Sequence, residues 1–115
     1  MIDEPAIREI LALYKNHGWK LRRVLLSSAL EKSFLGASTE LFDGVEITPS
    51  TLDAAWFSRS ARLKSETWEL RLLDKSPFAL IAVIDDNIDD HEIREILQNT
   101  ELKMMQTTKK GMSSH

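Results

Sequence analysis

The sequence predicts an α+β fold: a single domain with a mainly antiparallel sheet of four to five strands and a helix at each end of the chain. Three observations carry this expectation. Tryptophan occurs in three short segments, residues 19–26, 54–59 and 67–73, and in each an arginine follows it within four positions. Each segment has the two-faced character of a strand, one side apolar and the other carrying charge. A wholly apolar run, residues 78–84, follows the third segment after the hairpin-length linker Asp74-Lys75-Ser76-Pro77. Helix-start signals precede amphipathic stretches at both ends of the chain.

The elements follow in order. Ile7, Ile10, Leu11 and Tyr14 are spaced i, i+3, i+4, i+7 and form one apolar helical stripe. Asp3 or Glu4 opens that helix and Pro5 sits in its first turn, where a missing N–H costs nothing. Gly18 closes it, because glycine tolerates the left-handed conformation after a helix end. Residues 19–26 form a strand, with Trp19, Leu21, Arg23 and Leu25 on one face and Lys20, Arg22, Val24 and Leu26 on the other. Ser28 and Glu31 have the spacing of a capping box, which starts a short helix that Gly36 ends. Residues 36–44 form a loop with Asp43-Gly44 as its turn, and residues 45–47 a short strand.

Residues 52–59 admit two readings. Ser50 to Asp53 matches a capping box, so a helix from Thr51 is open. The strand reading is preferred, because adjacent Trp56 and Phe57 suit a sheet and the run is short. It places Leu52, Ala54 and Trp56 on one face, with Asp53, Ala55, Phe57 and Arg59 on the other. Residues 78–84 are apolar on both faces, the pattern of a central strand covered by helices or by another subunit. Asp89 and Glu92 form the last capping box, with Ile88 and Ile93 as the hydrophobic staple beside it. Ile93, Ile96, Leu97 and Met104 supply the buried stripe of that helix. The domain is expected to span residues 1–106, and residues 107–115, which lack an apolar period, to form a disordered tail. Two helices on one face of the sheet would bury Trp19, Trp68, Leu70 and Leu72 or the opposite set.

Composition sets limits. At 115 residues and 43% apolar content the chain can bury a sizeable core. It contains no cysteine, so disulfides, thiolate metal sites and cysteine nucleophiles are excluded. No apolar run approaches the roughly 20 residues of a membrane span, and the acidic start lacks a signal-peptide layout, so a cytoplasmic protein without a membrane partner is expected. The net charge of −3 disfavours general polyanion binding. Charge is nonetheless uneven. Residues 8–23 carry five bases against one acid, and residues 85–101 carry seven acids against one base. Solvated faces account for most such runs; the alternative is self-association, the basic end of one copy meeting the acidic end of another.

Motifs for chemistry fall short. His17, His91 and His115 lack metal-ligand spacing, so neither metal nor cofactor is expected. Asp85, Asn87 and Asp89 match the first ligand positions of a calcium loop. Asp90 then stands where glycine is needed and Ile96 where a bidentate glutamate is needed. Asp53 followed by Glu69-Leu70-Arg71 resembles a metal-dependent nuclease pattern, but an arginine replaces the lysine and holds its proton. No nucleophile elbow and no glycine-rich phosphate loop occurs.

What remains is a surface. Lys20, Arg22, Arg59, Glu69 and Arg71 fall on or near one sheet face if the registers hold, and form the candidate ligand or partner face. Cross-strand pairing of Glu69 with Arg22 or Arg59 is the plainer account of the same residues. Ile81 and Val83 are the candidate self-association residues, since an apolar strand needs cover that a few short helices do not supply. The expected function is a non-catalytic protein–protein interaction domain that forms a homodimer through its sheet. An anionic-ligand domain using the arginines comes second. Single-stranded nucleic-acid binding by aromatics and arginines on the sheet comes third.

Overall fold

Trp56 and Phe57 sit back to back on the middle strand of a five-stranded sheet, each fully buried beneath a different set of helices. The computed structural model describes residues 2–61 and 64–113, with side chains through Thr108. Its elements are α1 (Glu4–Asn16), β1 (Lys20–Leu26), α2 (Ser28–Ser33), α3 (Ser38–Leu41), β2 (Glu46–Pro49), β3 (Ala54–Ser60), β4 (Ser65–Leu72), β5 (Ala79–Asp85) and α4 (Asp90–Ser113). The sheet runs β2-β1-β3-β4-β5. Its β1–β2 pair is parallel and the other three pairs are antiparallel. The α+β class and the terminal helices are as the sequence predicts, and residues 54–60 are strand, as preferred.

Local signals explain most boundaries. The Asp3 carboxylate accepts the Ala6 N–H at 3.1 Å and caps α1, with proline in the first turn. Such a cap contributes about 1 kcal/mol. Gly18, at φ +82°, reverses the chain into β1 in a conformation that disfavours any side chain. Asp89 accepts the Glu92 N–H at 2.8 Å and starts α4 where the capping box places it. The helix runs to Ser113; of the stretch expected to be a tail, residues 114–115 lie outside the described residues.

Five details differ from expectation, each for a physical reason. The cap of α2 is Ser27 rather than Ser28. Asp53 accepts both the Ser27 N–H at 2.6 Å and the Ser27 hydroxyl at 3.1 Å, which leaves that oxygen to accept the Leu30 N–H at 3.2 Å. The loop expected over residues 36–44 contains the one-turn helix α3. It has no side-chain cap and is held instead by burial of Leu41 and Phe42, the latter packed edge-on against Phe34. The short strand expected over residues 45–47 is β2, shifted to include Pro49, which an edge strand tolerates. A bulge in β1 pairs Leu21 with Phe57 but Arg23 with Trp56. The extra residue, Arg22, breaks the alternation: Leu21 joins Val24 and Leu26 in one cluster and Leu25 goes to the other.

The fifth difference is the largest. The helices do not share one face. Ile7, Ile10 and Tyr14 of α1, with Leu30, Phe34, Leu41 and Phe42, cover Val24, Leu26, Ala55 and Phe57. Leu97 and Met104 of α4 cover Trp56, Trp68, Leu70, Ala82 and Ile84 on the opposite side. β5 is not central but an edge strand, covered by α4 on one side only.

The second layer is fastened at one polar point. Glu101 of α4 accepts from Arg23 Nη2 at 2.6 Å and from the buried Trp56 indole at 2.7 Å. Removing the carboxylate strands both donors in a largely buried place. Glu101→Ala should therefore lower stability by about 2–3 kcal/mol in chemical denaturation. A loss below about 0.5 kcal/mol, typical of a surface pair, would show that the helix is held by apolar packing alone.

Candidate interaction face

The α1-facing side of the sheet is only partly roofed. α1 lies over β1 and β3, and Tyr14 stacks on Phe57 with ring centroids 4.0 Å apart. Beyond it, pairing places three rows side by side: Arg71 beside Ala79, Glu69 beside Ile81, and Thr67 beside Val83. Ala82 and Ile84 point into the α4 cluster, so these alternate residues of β5 point the other way. Ile81 is 62% exposed and Val83 61%. Leu13 of α1, which borders the cleft beside Ala79, is 56% exposed. Ile81 and Val83 thus expose two large apolar side chains on one face of the border strand.

The free edge of β5 has a defined polarity. Leu72 N–H donates to Phe78 O at 2.9 Å, and Asp86 N–H to Lys64 O at 2.8 Å. Hydrogen-bonded pairs recur every second residue in an antiparallel ladder. Leu80, Ala82 and Ile84 therefore turn their backbone groups toward β4, and Ala79, Ile81, Val83 and Asp85 turn theirs outward. The same residues that expose their side chains also present N–H and C=O groups that are unpaired among the described residues. No lysine, proline or bulge interrupts them, the devices that usually protect an edge. The opposite edge, β2, is four residues long and carries Glu46 and Pro49.

Between α1 and the start of β5 lies an open cleft of about 460 Å³, bordered by Leu13, Tyr14, Glu69, Arg71, Pro77 and Ala79. The Tyr14 hydroxyl donates to the Glu69 carboxylate across it. Arg71 Nη1 donates to Leu72 O and Ser76 O, each at 3.3 Å, bracing the β4–β5 turn. Burial first, and then the hydrogen bond to Glu69, push the Tyr14 phenol well above its ordinary value of 10.0. The hydrogen bond ties α1 to β4 as a clasp between helix and sheet.

The residues expected on one face are divided. Arg59, Glu69 and Arg71 lie on the α1-facing side, but Arg59 sits over the Trp19 ring at 4.5 Å and donates to His17 O at 3.4 Å, apart from Glu69. Arg22 lies on the other side, 4.8 Å over the Trp68 ring and 3.4 Å from Ser58 Oγ. Lys20 is exposed opposite Ser58. The β1 bulge causes this division. Asp53, required beside Glu69 in the nuclease pattern, is bound to Ser27 instead. Among the described residues no group of three His, Asp or Glu side chains is placed to hold a metal ion, and no helix is long and apolar enough to cross a membrane.

Tyr14 and Leu13 are the site residues that sequence reasoning did not single out. Tyr14 falls within the apolar stripe of α1 and is indistinguishable there from an ordinary core residue; Leu13 stands just off that stripe. Fold and face together define an α+β sandwich with one guarded and one open sheet edge. Comparison with protein-family models, with curated proteins and with solved structures finds no match.

The chain has one tyrosine, so its phenolate absorbance reports Tyr14 alone. A raised folded value means the stabilising contribution is complete below pH 10.0 and is lost as pH rises toward the folded value. The phenolate signal should appear only together with alkaline unfolding, and Tyr14→Phe should flatten the fall in stability above about pH 10. Ionisation at pH 10.0 in a still-folded protein would contradict the clasp.

Proposed function

We propose that this protein is a non-catalytic protein–protein interaction domain that self-associates through the β5 side of its sheet. One observation carries the reading: Ile81 and Val83 expose their side chains on the same residues that leave the outer backbone groups of β5 unpaired. A strand that is apolar and unguarded at a sheet edge is a template for another strand. Ile81 and Val83 stand two residues apart on one face of β5, so their exposed side chains adjoin rather than stand singly. The lack of cysteine suits a reducing compartment, as the cytoplasm would be.

The arginines favour a second reading only at Arg71, which borders the cleft and could hold a free carboxylate or phosphate. Arg59 and Arg22 are each occupied with a tryptophan. Thermal stabilisation by a panel of millimolar anions, lost in Arg71→Ala, is the result that would favour that reading over self-association.

Light scattering at several protein concentrations tests the main reading. The native chain should weigh as a dimer, and Ile81→Asp or Val83→Asp should weigh as a folded monomer, because each places a charge in the middle of the contact. A monomeric native chain, or a dimer that survives both substitutions, would contradict it.

A further inference from the structure

Resting on that reading, we infer that two copies join β5 to β5 in antiparallel fashion about Ala82, and that the acidic end of each strand seats against Arg71 of the other copy. The result is one continuous sheet across two sandwiches.

Backbone polarity selects the registers. Ala79, Ile81, Val83 and Asp85 point their N–H and C=O groups outward, so an antiparallel partner must place its own members of this set opposite them. A two-fold axis at Ala82 does so with none left over. Ile81 then faces the second copy's Val83, and Ala79 faces the second copy's Asp85. The two exposed apolar side chains of each copy form a four-residue patch on one side. Leu80 and Ile84 meet their counterparts on the α4 side.

Charge selects the same arrangement. Arg71 pairs with Ala79 inside each copy. Across the junction the row continues to the second copy's Asp85. Strands lie about 4.8 Å apart, so Arg71 and that aspartate are about 10 Å apart at their backbones, with only an alanine methyl between them. An extended arginine and a carboxylate close such a span. Among the described residues Arg71 uses only Nη1, on the Leu72 and Ser76 carbonyls, so Nε and Nη2 are left to meet the incoming carboxylate. The next residue, Asp86, points the same acidic end toward the turn that carries Lys75. A parallel junction would instead stack Asp85 and Asp86 of the two copies against each other. The cleft bordered by Arg71, Pro77 and Ala79 thus receives the strand end of a second copy.

Two experiments on the full chain test the junction. In the first, Arg71→Glu and Asp85→Lys should each weaken dimerisation roughly tenfold by sedimentation, and the double reversal should restore it. Two weakened singles that are not rescued in the double variant would overturn the pairing of Arg71 with Asp85. In the second, Ala82→Cys supplies the only thiol in the chain. Residues facing each other in a non-hydrogen-bonded pair lie about 4.5 Å apart, within disulfide reach. Mild oxidation should yield a covalent dimer, whereas Cys substitution at exposed Leu35 should not. A native dimer that neither cross-links at position 82 nor responds to charge reversal would overturn this register while leaving self-association standing. A native monomer at every concentration would overturn both.

Discussion

β3 is the strand on which both layers of this domain are assembled, because it must be buried on its two faces at once. Ala54 and Trp56 face α4, Ala55 and Phe57 face α1, and all four are buried. The alternation of small and large residues lets a helix approach closely beside each aromatic ring. Full burial of side chains as large as Trp56 and Phe57 contributes about 2–3 kcal/mol each. The polar atom this leaves inside, the Trp56 indole nitrogen, is answered by Glu101, which also binds Arg23. Helix, central strand and neighbouring strand are fixed to one another by a single carboxylate.

That arrangement also determines what stays uncovered. A thirteen-residue α1 with its stripe over β1 and β3 does not reach the fifth strand. Tyr14 and Glu69 close the near side of β4, and Trp19 with Arg59 closes the end of α1. Beyond them Ile81 and Val83 have no roof. The exposed patch is therefore a consequence of how far one helix extends over a sheet anchored at its middle. The same two residues are the contact candidates of the sequence, on the premise that their strand is central. Structure moves the strand to the edge and adds free backbone groups to the free side chains.

Local chemistry was largely legible in the sequence. The caps Asp3 and Asp89, the stripe of α1, the β4–β5 hairpin and the alternation along residues 52–59 all depend on neighbours within a few positions. Features that depend on distant partners were not. Strand order decides whether an apolar run is central or an edge, and periodicity carries no information about order. The bulge at Arg22 is set by pairing with β3, and it moved Arg22 away from Arg59, Glu69 and Arg71. Ser27 became the cap of α2 because Asp53, twenty-six residues on, holds it. α3 lacks a cap and is maintained by burial of Leu41 and Phe42, which no local pattern announces.

Amide hydrogen exchange resolved along β5 tests the central claim most directly, since the outward N–H groups have no partner among the described residues of one copy. Ala82 should be protected at every concentration by its bond to β4. Ile81 and Val83 should exchange freely when dilute and gain protection as concentration rises, with the same dependence as native mass. Exchange at Ile81 and Val83 that stays rapid and independent of concentration, beside a protected Ala82, would show that the edge remains open and would contradict the account.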